Sequence, residues 1–316
     1  MEDEKLNGVA GALSADAVAS AVYAAVRHCA THLRPDVLAA MQTARADETQ
    51  ARALSVLDCL LENAHIGQAD GVPICQDTGT CWVRLEIGEE LSVPGNILSR
   101  VNDAVARAYT DGRLRMSVLA DALLDRTNTG DNTPAFAEVA FRPGRGATLH
   151  VLLKGGGSDN ASRVVMLAPG AGWEGVRQVV LDCVHEKAAN ACPPLIVGVG
   201  VGATFDKVAG LAKHALLREV GSPAASPQAA AREAELLAAV NATGIGPAAL
   251  GGNATALAVH LETAPCHIAA LPVAVNMGCS AMRSASIDLV SWETGLPVAN
   301  PTANLAYTPV EEGGNR

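Results

Sequence analysis

From Leu13 to about Ala64, apolar residues recur at helical spacing, with Val18, Val22 and Val26 on one face and Leu54, Leu57, Leu60 and Leu61 on another. Pro35 suits a first helical turn and Asp36 favours a helix N-terminus, so a new helix starts there. The period then shortens. Cys81–Ile87 alternates as a strand does, Ile97–Ala108 returns to helical spacing, and Ala137–Phe141 and Thr148–Leu153 read as a β-ribbon ending in a glycine-rich loop. Glu174–Ala191 is an amphipathic helix with Val176, Val179, Val180 and Cys183 inward. A strand-like apolar run, Leu195–Ala203, leads into a helix over Phe205–Arg218, and another helix covers Ala229–Val240. The fold class is mixed α/β, of the α+β kind. Residues 1–66 are expected to be a helical lead-in and residues 67–290 the rest of the same domain. From 291 to 316, Pro, Asn, Thr, Gly and Glu predict a poorly packed tail.

The chemistry gathers at the breaks between these elements. Gly71–Thr80 sets Cys75, Gln76 and Asp77 side by side between Pro73 and Gly79, which suits a shaped loop better than a helix or strand. In Lys154–Asn160, three successive glycines let backbone N–H groups approach an anion beside a lysine; the lysine precedes the glycines, so this is not a nucleoside-triphosphate loop. Cys192-Pro-Pro194 ends a helix and leaves a thiol at an element end, and Cys279 follows Met277-Gly278. Asn128–Pro134 is dense in turn formers. Gly198, Gly200 and Ala203 imitate a dinucleotide fingerprint, but Glu219 follows the helix directly, and close helix-on-strand packing explains the same glycines.

Composition narrows the choice. The 316 residues carry a net charge of −10 and only three each of Trp, Tyr and Phe, which argues against nucleic acid as a partner. The acidic start, Met-Glu-Asp-Glu-Lys, lacks the regions of a signal peptide, and no apolar run is long enough to span a bilayer, so a cytoplasmic protein is expected. Eight cysteines without tight spacing do not suggest a disulfide framework. Cys29, Cys59 and Cys183 fall on apolar helical stretches and are expected in the core. Cys75, Cys192 and Cys279 fall at breaks and suggest a site for a soft metal, either an iron–sulfur cluster or zinc.

These motifs, in order along the chain, resemble the alpha-type part of the iron–sulfur hydro-lyases that comprise class I fumarate hydratases and L-tartrate dehydratases. The resemblance is carried by Ile74-Cys-Gln-Asp-Thr-Gly79, Asn128-Thr-Gly130 with Pro134, Lys154-Gly-Gly-Gly-Ser158, Cys192-Pro-Pro194, Ile245-Gly-Pro247, His267-Ile-Ala269 and the Cys279 segment. It implies that Cys75, Cys192 and Cys279 hold a 4Fe-4S cluster with one iron left without a protein ligand. Gln76, Arg115 and Gly157 would then contact a dicarboxylate, with Asp77 as catalytic acid and His267 as the histidine that tunes it. By residue type alone, Arg115 is equally a solvated arginine and His267 a satisfied core histidine. Ser280-Ala-Met-Arg283 departs from the usual segment after the third cysteine, whereas Lys154 with its glycines looks more like two-subunit fumarate hydratases than tartrate dehydratases.

The function expected from this resemblance is that of a class I fumarate hydratase alpha subunit, interconverting (S)-malate and fumarate. The alternatives are an L(+)-tartrate dehydratase alpha subunit and, from other classes, a nucleotide-binding dehydrogenase or a zinc-binding module. The resemblance further implies a separately encoded beta subunit that supplies the proton-abstracting base, in a dimer of alpha–beta pairs.

Overall fold

The computed structural model describes residues 13–289; the tail expected from residue 291 lies outside them. Among the described residues the helices are α1 (Ala15–Thr31), α2 (Pro35–Asp47), α3 (Ala51–Asp70), α4 (Val101–Asp111), α5 (Gly156–Asn160), α6 (Gly172–Lys187), α7 (Phe205–Ala215) and α8 (Pro227–Asn241). The strands are β1 (Thr80–Gly88), β2 (Phe136–Arg142), β3 (Ala147–Lys154), β4 (Arg163–Leu167), β5 (Leu195–Ala203), β6 (Ala256–Cys266), β7 (Leu271–Gly278) and β8 (Arg283–Asp288). The mixed α/β class is therefore as expected. Packing divides the described residues into two compact units, one of residues 13–29, 80–152 and 284–289, the other of residues 30–79 and 153–283.

The first unit is built on a four-stranded sheet in the order β2-β1-β3-β8. The β-ribbon expected of β2 and β3 is not formed, because β1 lies between them and pairs in parallel with β2, from Trp82 opposite Phe136 to Gly88 opposite Arg142. The reason is visible in the burial. β1 carries Cys81, Trp82, Val83, Leu85 and Ile87, all buried, and takes a central place, whereas β2 leaves Phe136 and Phe141 exposed at the edge. Val18, Val22 and Val26 of α1 are buried as their spacing predicts, and so is Cys29. Burial holds the Cys81 thiol far above its ordinary range, so it is a packing residue.

The second unit carries a sheet in the order β4-β7-β5-β6, with β5 parallel to β6 and antiparallel to β7. The alternation of valine and glycine in β5 is explained by what each face meets. Leu195, Val197 and Val199 enter a core with Val180, Cys183 and Val184 of α6 and Leu236 and Val240 of α8. Gly198 and Gly200 meet α7: a Cβ on Gly198 would collide with the Ala212 carbonyl, and one on Gly200 would stand 2.6 Å from the Val208 carbonyl oxygen. These glycines are accounted for by helix-on-strand packing, without a nucleotide. One core expectation fails. Cys59 is exposed, because α3 buries Ala53, Leu57, Ala64 and Gly67, and a residue two beyond Leu57 points to the far side of a helix.

Gly198→Ala should destabilise the chain by about 1–3 kcal/mol in urea unfolding, as overpacking does, while Ala→Gly at the exposed Ala51 should have a smaller effect. His260, 3% exposed, donates from Nδ1 to the Ala215 carbonyl at 3.0 Å. Burial, then the nearby Arg218, lowers its pKa from 6.5 to about 4. The unfolded chain binds this proton more readily, so the contribution is complete above pH 6.5 and is lost as pH falls towards 4, on the order of 3 kcal/mol. Thermal unfolding between pH 7 and 4 should show this loss, and His260→Gln should flatten it.

Candidate metal centre and active site

The second unit brings the three break-associated cysteines together. Gly71, in the left-handed region, ends α3, and the chain leaves in an irregular loop. That loop is pinned at Ile74, whose N–H donates to the Ala30 carbonyl at 2.9 Å and whose carbonyl accepts from Asn63 Nδ2 at 2.8 Å. Beyond the pin, Cys75 is half-buried and its thiol faces the Gln76 Oε1 at 3.5 Å. Asp77 is held by both oxygens: Oδ1 accepts from Gly79 N–H at 3.0 Å and Oδ2 from Gly156 N–H at 2.8 Å. Gly79, with φ 81°, packs so tightly on the Lys154 backbone that no side chain fits.

The glycine-rich stretch after β3 turns directly into the short helix α5 rather than hanging as a loop. A Cβ on Gly155 would stand 3.3 Å from both Asp77 Oδ2 and Arg283 Nη2, and one on Gly157 would stand 2.6 Å from the Asn190 carbonyl oxygen. Close approach thus requires a glycine at 157 and leaves little room for a side chain at 155. Lys154, 3% exposed, donates from Nζ to the Met277 carbonyl and, at 3.2 Å, to Ser158 Oγ. Burial lowers its pKa to about 8, against the opposing pull of Asp159 and Cys279.

Cys192 follows a 3-10 turn (Ala188–Ala191) and is itself left-handed, at φ 55° and ψ 71°, a conformation uncommon outside glycine. Its carbonyl accepts from Ser280 N–H at 3.0 Å, which ties it to the Cys279 turn. Partial enclosure, then Cys279, then Cys75, raises the Cys192 thiol pKa, so the three sulfurs share one electrostatic neighbourhood. Among the described residues no three His, Cys, Asp or Glu side chains surround a single point closely enough to hold one metal ion.

Two other residues picked out by sequence are exposed. Arg115 is exposed and belongs to the other unit, on the segment between α4 and β2 that is shaped by Asn132 Oδ1 accepting from Ser117 N–H at 2.6 Å. His267 is exposed on the turn between β6 and β7, where its Nδ1 accepts from Ala269 N–H at 3.1 Å. The sequence reading missed one residue. Arg283, 2% exposed, donates from Nη1 to the Asp77 carbonyl at 2.6 Å; its only signal was a position four residues after Cys279.

The sequence model of the fumarate hydratase (Fumerase) family matches residues 19–288, a span that takes in all three cysteines, Asp77 and the glycine-rich stretch. The chain belongs to this family. It is 36% identical over 265 residues to a Methanocaldococcus jannaschii protein named "Putative L(+)-tartrate dehydratase subunit alpha", covering 82% of this chain and 93% of the relative. It is 32% identical over 261 residues to an L(+)-tartrate dehydratase subunit alpha of Escherichia coli strain UTI89, covering 81% and 86%. Both activities named are additions or removals of water, so this member of the fumarate hydratase family is an enzyme of the hydro-lyase type. Among the described residues, no helix is long and apolar enough to cross a membrane.

The geometry separates the cysteines experimentally. After anaerobic reconstitution, Cys192→Ser should lose most of the bound iron and sulfide, whereas Cys183→Ser, at a buried thiol whose Sγ lies 3.2 Å from the Ala161 carbonyl, should keep both and lose only stability. Exposed Cys59→Ser should change neither. Full iron in Cys192→Ser would contradict the assignment.

Proposed function

We propose that this chain is the alpha subunit of an iron–sulfur hydro-lyase that removes water from a 2-hydroxy dicarboxylate, with L(+)-tartrate as the substrate of first choice. The observation that carries the reading is the grouping of Cys75, Cys192 and Cys279 beside an immobilised Asp77 in one packed unit. The donor set fits a 4Fe-4S cluster: three soft thiols from three separate loops, close enough for Cys279 and Cys75 to act on Cys192. Bound there, such a cluster supplies a Lewis-acid iron without a protein ligand, which makes hydroxide a better leaving group.

The remaining work falls to the chain's own groups. Asp77, oriented by the N–H groups of Gly79 and Gly156, exchanges a proton with the departing hydroxyl. The exposed Gln76 amide and the Gly157 main chain offer neutral hydrogen-bond partners to the substrate. Arg115 serves as a carboxylate clamp through paired hydrogen bonds, and His267 adjusts the acid. The base that takes the proton from the adjacent carbon must lie within hydrogen-bond reach of it. A second, beta-type subunit supplies that base, in a dimer of alpha–beta pairs; the relatives named as alpha subunits support a partner of this kind.

The relatives' names favour tartrate, while the stretch Lys154–Ser158 favours the fumarate hydratase reading and keeps (S)-malate as the second substrate. The two differ by one hydroxyl. A site that hydrogen-bonds the extra hydroxyl of tartrate rejects malate by about 10⁴–10⁵ in kcat/KM. The anaerobically loaded chain, assayed with its candidate beta subunit on both substrates, should dehydrate tartrate with a preference of that order. A preference for malate would move the assignment to fumarate hydratase, and no turnover of either would overturn the hydro-lyase reading. Rapid turnover by the chain alone would overturn the shared site.

A further inference from the structure

The segment from Met277 to Arg283 touches both of the other cysteine-bearing loops. Ser280 N–H reaches the Cys192 carbonyl, and Arg283 Nη1 reaches the Asp77 carbonyl at 2.6 Å, two residues from Cys75. Lys154 Nζ anchors the start of the same segment at the Met277 carbonyl. Arg283 is the least expected member. Its guanidinium is buried, its hydrogen bond goes to a backbone carbonyl rather than a carboxylate, and its Nε is enclosed with no hydrogen-bond partner. A buried cation is costly unless some negative charge answers it. Nη2 and Asp77 Oδ2 flank Gly155 on the same side, each 3.3 Å from where a Cβ on that glycine would stand.

We propose that Arg283 is a positioning residue, which locks the Cys75–Asp77 loop onto the Cys279 segment and sets a fixed positive charge beside the centre that the three thiolates hold. The inference rests on the hydro-lyase reading given above and deepens it. Three thiolates around an iron–sulfur core leave that centre anionic, and nearby charge and hydrogen bonds set its reduction potential. In a chain of net charge −10, a neutral residue at position 283 would leave Asp77 and the thiolates in a more negative field. The same guanidinium fixes the backbone from which the Asp77 carboxylate is presented, so charge and geometry are separable. Lysine keeps the charge but not the planar fork, and methionine keeps neither.

The test is a redox titration of the reconstituted cluster, followed by electron paramagnetic resonance, in the wild type, Arg283→Lys and Arg283→Met, with kinetics measured in the assembled enzyme. The midpoint potential of Arg283→Met should fall below that of the wild type, because loss of a nearby positive charge disfavours adding an electron; that of Arg283→Lys should stay close to the wild type. Both variants should lose at least tenfold in kcat with KM changed less than threefold, because the Asp77 main chain loses the tie at its carbonyl. If Arg283→Met does not load a cluster, Arg283→Lys decides: wild-type kcat in it overturns the inference, and a tenfold loss at wild-type potential supports it. A loaded Arg283→Met protein with wild-type potential and kcat overturns this inference alone. A wild-type chain that takes up no cluster overturns the hydro-lyase reading along with it.

Discussion

Three hydrogen bonds fasten the segment from the end of β7 to the start of β8 to its surroundings: Lys154 Nζ to the Met277 carbonyl, Ser280 N–H to the Cys192 carbonyl, and Arg283 Nη1 to the Asp77 carbonyl. Each joins a different part of the sequence, and none lies within a helix or a sheet ladder. The loops that carry Cys75 and Cys192 have little regular structure of their own, so their placement depends on these ties and on the rigid strand behind them. β7 is buried along most of its length and pairs on both sides, with β4 and β5. A site on loops becomes precise when the loops are fixed to such a frame.

Charge follows the same arrangement. The chain as a whole is acidic, yet Lys154 has two further cations, Lys213 and Arg283, within electrostatic reach. Two of the three, Lys154 and Arg283, are buried. Cations gathered where thiols are grouped counter a global field that would otherwise repel a dicarboxylate. The backbone contributes as well: Asp77 is fixed by two amide N–H groups, and the glycines at 155 and 157 remove the side chains that would separate those amides and the neighbouring main chain from their partners.

Much of this was legible in sequence because its cause is local. Val18, Val22 and Val26 share a buried helix face because their spacing puts them there, and the irregular loop around Cys75 follows from Pro73 and Gly79. The alternation of valine and glycine in β5 was visible too, with its packing explanation. What escaped was non-local. Nothing near β2 and β3 announces that β1 will come between them, since sheet order depends on which strand the core can bury most fully. Cys59 escaped because a run of leucines hides which of two helix faces is inward. Arg283 escaped because its partner, the Asp77 carbonyl, lies 206 residues away in sequence.

The account as a whole stands on three cysteines holding a cluster with an iron open to substrate. Mössbauer spectroscopy of the chain, reconstituted anaerobically with ⁵⁷Fe and joined to its candidate beta subunit, tests that claim most directly. The account predicts a 4Fe-4S spectrum in which the signal of one iron site shifts when tartrate or malate is added, while the others stay in place. A mononuclear spectrum, or a four-iron spectrum that neither substrate changes at any site, would contradict it.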